Sequence, residues 1–347
     1  MLRATLLSFF SIIIIQVQLS AQTTYTSAQS GGWNTTSTWT PTGTPGANDK
    51  AIILDGHTVS IANGGGESVS SITVDAGGVL DMRIRGLSVS GSLIVNGTIT
   101  SEGNSNKDLD FSGDTIGGSG TINKADNAYA VDIAGSAVIL STAQLKIFGN
   151  VYIQDGVTVT NKGSVYVSGD LDGENATGSV WTNDENSEIE LTGIFLNTGI
   201  LNASASGNTV TYEQVGDQTV KTPSSSTYYN LTISGVLTKT LNNDLIINGN
   251  LKVLSGLLDC NNNNIQIRGN WINEGDFEEG TGTVIFDGTT DQIIEDYTGE
   301  EFYNLTVNKS SGTLIQVENV QVANTLTLAD GIINAGTSIL TLGSGLA

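Results

Sequence analysis

The sequence predicts an all-β protein, a right-handed parallel β-helix whose stacked coils form a solenoid with an N-terminal cap. Short segments alternate apolar and polar residues, a glycine follows many of them, and they recur roughly every 20 residues inside a longer repeat. The right hand follows from the usual sense of parallel crossovers. Repeated β-sandwiches are the alternative, and they predict hairpins with tight turns in place of coils.

The short unit is an apolar residue, any residue, a second apolar residue, any residue and then glycine. Alternation of this kind puts neighbouring side chains on opposite faces of a strand, and glycine permits the positive φ of a corner. Strands this short bury a core only when coils stack on one another. The spacing of 19 or 20 residues between units is seen in Leu145 and Val165, Leu245 and Ile265, and Ile265 and Val284.

A longer repeat covers the C-terminal part of the chain. Tyr229 and Tyr303 are 303 − 229 = 74 residues apart, within the matching segments "YYNLTI" and "FYNLTV". We therefore expect residues 209–347 to hold about two copies of a solenoid repeat of 74 to 75 residues, after an irregular solenoid over 83–208. The last copy is incomplete, so we expect Ala347 not to be the natural end and the open coil to associate end to end with another copy.

The N-terminal region divides into a targeting segment and a cap. Residues 1–21 combine Arg3 with an apolar run that is too short to span a bilayer, which predicts a secretory signal peptide and a secreted or outer-surface protein. Residues 22–82 are expected to form the cap and the first coils. Trp33 and Trp39 are predicted to cover the apolar end of the solenoid.

Charge and cysteine content exclude some functions. The 347 residues include 13 Lys and Arg against 35 Asp and Glu, and a net charge of −22 repels nucleic acid. No membrane span is expected after the signal peptide. Cys260 is the single cysteine, so it forms no internal disulfide and is expected to be a small buried side chain.

The acidic segment "NKDLDFSGD" is the candidate site of an enzyme. Asp108 and Asp110 would share one face of a strand, and Asp114 lies beyond them in the sequence. A polysaccharide hydrolase or lyase would need paired carboxylates of this kind. A solvated strand followed by a glycine turn explains the segment as well. Because Lys and Arg are scarce, we expect the protein not to be an enzyme, with these three residues as the alternative site.

Two other sets of residues are candidates for binding. Calcium is the one candidate cofactor, and its ligands would be the carboxylate oxygens of Asp184, Glu185 and Glu188. The segment lacks the glycine spacing of a calcium loop. Four aromatic residues would stack on sugars if exposed and would otherwise belong to the core. These are Trp181, Tyr212, Tyr228 and Trp271.

Pairs of threonines two residues apart suggest one further alternative, an ice-binding solenoid with a flat threonine ladder. Threonine also favours exposed strand faces in general, and these pairs do not recur at one fixed interval. They are Thr98 and Thr100, Thr158 and Thr160, Thr209 and Thr211, and Thr325 and Thr327.

The block from Gly31 to Met82 and the "YNLT" repeats are similar to secreted β-solenoid surface proteins of Gram-negative bacteria that use type IX secretion. The N-terminal block also resembles the eight-glycine domain, at Pro45, Asp49, Ile53, Gly56, Val59, Ile72, Val74 and Leu80. The resemblance implies a β-solenoid surface protein. The scarce Lys and Arg and the long polar ladders then favour a non-catalytic, adhesin-like scaffold that contacts polysaccharide or another cell-surface component. A polysaccharide-acting β-helix enzyme is the alternative.

Overall fold

The structure is a computed structural model of the 347-residue chain, and it describes residues 21–61, 66–102, 109–124 and 129–343. These residues form an all-β solenoid of about 13 parallel stacked turns. The solenoid prediction is confirmed, and the β-sandwich alternative is wrong because neighbouring strands lie one coil apart and run parallel. The predicted signal peptide falls outside the described residues except for Ala21.

Each coil passes through three parallel sheets, which we call sheets 1, 2 and 3 in chain order. A bridge between Ala203 and Tyr228 links the two parts of sheet 1. Its strands are Thr24–Ser27, Trp39–Thr40, Lys50–Ile53, Ser71–Val74, Ser92–Val95, Thr115–Gly117, Ala137–Ile139, Thr158–Asn161, Val180–Asn183, Ile200–Asn202, Thr227–Tyr228, Leu245–Ile247, Ile265–Ile267 and Thr283–Phe286.

Sheet 2 follows the first corner of each coil and is one unbroken ladder. Its strands are Gly31–Gly32, Thr58–Ser60, Val79–Asp81, Thr98–Ser101, Thr121–Lys124, Gln144–Phe148, Ser164–Val167, Glu188–Leu191, Thr209–Tyr212, Asn230–Ile233, Leu251–Val253, Trp271–Asn273 and Gln292–Asp296.

Sheet 3 is interrupted. One ladder contains Glu67–Val69, Leu87–Val89, Leu109–Phe111, Tyr129–Ile133, Asn150–Ile153 and Leu171–Gly173; a second contains Gln218–Val220, Thr238–Leu241, Leu257–Asp259 and Asp276–Glu278. The long strands Glu300–Gln316 and Val320–Asn334 then bend around the corners, and Leu340–Leu342 pairs with the start of the second.

The predicted coil spacing is confirmed residue by residue. Leu145 pairs with Val165, Leu245 with Ile265, and Ile265 with Val284, each on the adjacent coil. The apolar members of these units point inward and are at most 6 % exposed. Each buried Leu, Ile or Val contributes roughly 1.5–3 kcal/mol relative to an exposed one, so the stacked interior stabilises the fold.

Asparagine side chains connect the coils at the corners. The Asn230 Oδ1 accepts a hydrogen bond from the Asn250 backbone at 2.9 Å, and Asn250 Oδ1 accepts from Asn270 at 2.8 Å. Asn261 and Asn262, within "NNNN", adopt positive φ values of 49° and 64°. Asparagine tolerates this conformation better than most residues, so these positions are corner residues.

The cap is built on the two predicted tryptophans. Trp33 and Trp39 are 1 % and 2 % exposed, and their rings meet edge to face at 5.2 Å. The Trp39 indole donates to the Trp33 carbonyl at 2.7 Å. Strand Trp39–Thr40 pairs antiparallel with Thr24–Ser27 at the outer edge of sheet 1. It occupies the edge to which a further parallel coil would otherwise pair.

Corresponding segments of the two copies of the 74-residue repeat lie on different sheets of the solenoid. In the first copy Thr209–Tyr212 and Asn230–Ile233 lie on sheet 2, whereas their counterparts Thr283–Phe286 and the segment 304–307 pair with each other on sheet 1. One repeat therefore spans three full coils and then two of the three sheets of the next coil. The second copy is rotated about the solenoid axis by one third of a turn relative to the first.

Candidate functional site

The structure corrects the binding alternative for the four aromatic side chains, which were expected to stack on sugars only if exposed. Trp181, Tyr212, Tyr228 and Trp271 are each at most 1 % exposed, because the strand alternation turns them inward. The Trp181 indole donates to Asn183 Oδ1 at 2.9 Å inside the core. These four rings are core residues and present no face to a ligand.

The described part of the acidic segment, residues 109–114, lies on a strand face and in the turn after it. Asp108 lies outside the described residues. Asp110 is exposed on the outer face of sheet 3, in register with Ser88 and Asp132 on the neighbouring coils, and Ser88 Oγ donates to it at 3.4 Å. Asp114 is exposed in the following turn and accepts from its neighbour Thr115 at 2.8 Å. A flat ladder of this kind is what a scaffold would present.

The three candidate calcium ligands do not converge. Asp184 lies in a turn, where its carboxylate accepts from the Glu185 backbone at 2.9 Å and meets Lys162 at 3.5 Å. Glu188 points outward from sheet 2, where Ser164 Oγ donates to it at 3.4 Å. Within the described ranges, no group of three or more His, Cys, Asp or Glu side chains could hold a metal ion.

The threonine pairs do not build one ladder. Thr98 and Thr209 lie on sheet 2, and Thr158 lies on sheet 1. Thr158 has Val180 as its neighbour, and Thr209 lies between Glu188 and Asn230. A flat threonine surface is therefore not formed at these pairs.

A different set of side chains meets on sheet 2, in what we call the sheet 2 groove. It is a cavity of about 470 Å³ that adjoins a smaller one of about 160 Å³. Its axis is a stack of outward side chains on consecutive coils, Lys146, Tyr166, Glu190 and Thr211. Other side chains on its walls are Gln144, Phe148, Ser164, Glu188 and Thr209.

Two aromatic rings form one wall of the sheet 2 groove. Phe148 is 37 % exposed, and its ring meets that of Tyr166 at a centroid distance of 5.7 Å and an angle of 60°. Such a pair offers a rigid apolar surface with one hydroxyl group. Its position beside polar side chains is typical of a binding groove in which apolar contact and hydrogen bonds act together.

Glu190, on the axis of the groove, is paired with a second carboxyl group, that of Glu213. A hydrogen bond to Glu213, followed by burial and the charges of Glu213 and Glu188, raises the pKa of Glu190 to about 7. The Glu190–Glu213 pair therefore holds one proton through most of the range below neutral pH, because two carboxylates in contact cannot both ionise freely. Lys146, two coils away, opposes the shift. The pair can donate and accept hydrogen bonds at the same time.

Sequence inspection did not identify this groove. Glu190 follows the candidate calcium ligand Glu188 by two residues, and Glu213 comes 23 residues after Glu190, after a complete coil. The strand alternation shows that Lys146, Tyr166 and Glu190 point outward. Only the register of the coils shows that they form one stack.

Among the described residues, no helix is long and apolar enough to cross a membrane. Comparisons of the chain with protein-family models, with curated proteins and with solved structures found no match.

Proposed function

We propose that the protein is a non-catalytic solenoid of the cell surface or extracellular space that contacts neutral carbohydrate through the sheet 2 groove. The observation that carries the proposal is the half-exposed Phe148–Tyr166 ring pair, set 5.7 Å apart beside a wall of hydrogen-bonding groups. Sugar rings have apolar C–H faces and polar edges, and this arrangement offers a partner for each.

The polar groups of the groove suit a neutral ligand better than an acidic one. Glu188 and Glu190, with Glu213 bonded to Glu190, outnumber Lys146, and the whole chain carries a net charge of −22. An acidic polymer would therefore be repelled from this face. Hydroxyl groups of a neutral sugar can donate to the carboxylates and accept from Lys146 or from the protonated Glu190.

Titration with neutral oligosaccharides, followed by calorimetry or glycan arrays, tests the proposal. Tyr166→Ala and Phe148→Ala should each weaken binding at least tenfold, because each removes part of the apolar wall. Tyr297→Ala is the matched control, since Tyr297 is 72 % exposed and lies outside the groove. Binding that survives both groove substitutions, or that depends equally on Tyr297, would rule the groove out as the contact site.

The raised pKa of Glu190 favours a second candidate function, hydrolysis of a polysaccharide in the same groove. A carboxyl group that titrates near neutral pH is suited to act as a general acid. The contact between Glu190 and Glu213 is closer than the roughly 5–10 Å that separates the carboxyl groups of glycoside hydrolases, so the binding function is preferred. Release of reducing ends by the wild type but not by Glu190→Gln would reverse that preference.

A further inference from the structure

A second groove lies where sheet 3 is interrupted, and we call it the junction groove. The first ladder of sheet 3 ends at Leu171–Gly173, where strand pairing with the next coil is reduced to an isolated bridge from Leu171 to Phe195. The second ladder begins at Gln218–Val220. The irregular coil between them opens a cavity of about 530 Å³.

Lys221 lies on the wall of the junction groove, and its backbone is held by a closed ring of hydrogen bonds. The Lys221 N–H donates to the Tyr212 hydroxyl at 2.9 Å, and the two tyrosine hydroxyls meet at 2.8 Å. The Tyr228 hydroxyl donates to the Lys221 carbonyl. Every donor and acceptor in this ring is used once if Tyr212 donates to Tyr228. Both phenols are fully buried, which raises their pKa values and keeps them protonated.

The ammonium group of Lys221 is less completely bonded than two other lysines. Lys239 Nζ donates to three backbone carbonyls, and Lys309 Nζ donates to two carbonyls and the Gln292 side chain. Within the described residues, Lys221 Nζ has one acceptor, the Leu196 carbonyl. An ammonium group has three protons to donate, so Lys221 has capacity left for a ligand in the cavity.

The surroundings of Lys221 favour a carboxylate as that ligand. Burial lowers the pKa of Lys221, which means that its charge is poorly solvated and would gain from an anionic partner. The nearby Asp172 carboxylate is already engaged by the backbone N–H groups of Gly173 and Thr198. Asp217 accepts from the Thr238 backbone at 3.1 Å.

The other walls of the cavity suit a sugar. The exposed side chains of Asn197, Asn242 and Asn243 bring carboxamides, which both donate and accept, and Ile194 brings a half-exposed apolar surface. The net charge of −22 disfavours a ligand with many negative charges. A ligand with a single carboxylate on a neutral sugar satisfies both conditions.

We propose that the junction groove binds a single uronate residue of an otherwise neutral glycan, with the Lys221 ammonium group paired to the uronate carboxylate. The carboxamides of Asn197 and Asn242 contact the sugar hydroxyls. Tyr212 and Tyr228 are positioning residues that act through the Lys221 backbone. This site is separate from the sheet 2 groove and does not depend on the function proposed there.

Methyl β-glucuronide and methyl β-glucoside, which differ in one carboxylate, are the probes, and binding is followed by amide chemical shifts of the labelled protein. The glucuronide should bind at least tenfold more tightly than the glucoside and should shift the junction groove amides. Lys221→Met should remove that difference, whereas Lys252→Met, on the outer face of sheet 2, should not change it. Tyr228→Phe should reduce glucuronide affinity while leaving glucoside affinity unchanged.

Equal affinity for the two probes, no binding of either, or unchanged glucuronide binding by Lys221→Met would overturn the proposal. Circular dichroism establishes whether each variant is folded. If Lys221→Met unfolds, the wild-type protein still tests the proposal. Amide shifts caused by the glucuronide that are centred outside the junction groove would also overturn the proposal. Lys221→Arg, which keeps the charge, should retain the preference for the glucuronide.

Discussion

Glu300 places a carboxyl group inside the core near the C-terminal coils. It is 4 % exposed, and it accepts hydrogen bonds from the Trp271 indole at 2.5 Å and from Asn273 Nδ2 at 3.1 Å. Burial outweighs these bonds and raises the pKa of Glu300 to about 8. The folded protein therefore holds a proton that the unfolded chain releases near its ordinary pKa of 4.5.

We expect this group to make the protein less stable as pH rises from about 4.5 to about 8. In that window the folded state binds more protons than the unfolded state, so the free energy of unfolding falls with pH. Glu300→Gln keeps an acceptor oxygen but cannot ionise, and it should be more stable than the wild type at pH 9 by on the order of 2 kcal/mol. Urea unfolding at pH 5 and pH 9 measures the difference. A wild type and variant with the same pH dependence would contradict the assignment.

Two buried lysines hold equivalent turns from different positions. Lys239 Nζ binds the carbonyls of Gln214 and Gly216, and Lys309 Nζ binds those of Gly288 and Thr290, which lie 74 residues further along. Residues equivalent to Lys239 and Lys309 in the opposite copies are Thr313 and Gly235, so neither lysine has a lysine counterpart. In each copy a lysine ammonium group donates to the carbonyls of this turn. The lysine lies at a different distance along the chain from the turn in the two copies.

Replacing Lys309 by methionine should destabilise the protein by roughly 2–4 kcal/mol, because buried acceptors that lose their donor bear the cost of desolvation. Lys309 is 1 % exposed and makes three hydrogen bonds of 2.7–2.8 Å. The exposed Lys50, replaced in the same way, should change stability by less than about 0.5 kcal/mol. Chemical denaturation of both variants compares them, and equal small losses would show that the turn does not need the ammonium group.

At the scale of the element, close contact between coils fixes where glycine is required. A Cβ atom on Gly113 would lie 1.7 Å from the Gly91 carbonyl oxygen on the coil below. That oxygen belongs to the backbone and cannot move without opening the ladder between Leu87–Val89 and Leu109–Phe111. A Cβ atom on Gly46 would have Asp49 Oδ2 as its neighbour at 3.6 Å.

We expect Gly113→Ala to cost about 1–3 kcal/mol or more, as overpacking does elsewhere, and Gly46→Ala to be nearly neutral. Hydrogen exchange should show faster exchange at Leu109–Phe111 in the first variant only. If both variants retain wild-type stability and protection, the spacing between these coils is looser than the structure shows.

The strands and their pairing were predictable, whereas the grooves were not. Alternation and the spacing of Leu245 and Ile265 are local signals, so they appear in the sequence directly. The sheet 2 groove depends on Glu190 meeting Glu213 across one coil, and the junction groove depends on an interruption of sheet 3 that no single segment encodes. The four buried aromatics were ambiguous in the sequence because aromatic side chains serve both as core residues and as exposed binding surfaces.

At the scale of the whole molecule, the sequence repeat is not a whole number of coils long. Asn230–Ile233 lies on sheet 2, and the matching segment 304–307 lies on sheet 1. The same sequence therefore forms a strand on either side of the coil. This tolerance means that sheets 1 and 2 impose similar packing requirements on the segment and that its local sequence determines the strand.

The rotation predicts that removal of one complete repeat leaves a folded protein. Deleting residues 230–303 joins Tyr229 to Asn304, so the segment 304–307 takes the place of Asn230–Ile233 beside Thr209–Tyr212, and all later coils rotate by one third of a turn. Lys309 then lies over the turn at Gln214 and Gly216, as it does over their counterparts at Gly288 and Thr290. Its ammonium group can also reach Gln218 Oε1, which has no hydrogen-bond partner among the described residues of the full chain.

This deletion should melt within a few degrees of the full chain, and X-ray scattering should show a rod about 18 Å shorter, since 74 residues make between three and four coils at about 4.8 Å each. A control deletion of residues 230–293 joins Tyr229 to Ile294, in the middle of the strand Gln292–Asp296. The buried Ile294 then takes the outward position of Asn230, and the exposed Glu295 takes the inward position of Leu231. The control deletion should unfold the C-terminal coils, because the inward residues no longer meet the core of the coil before them. Equal stability of the two deletions would show that the coils fold independently of repeat phase, and unfolding of both would show that the C-terminal strands require the sides they now occupy.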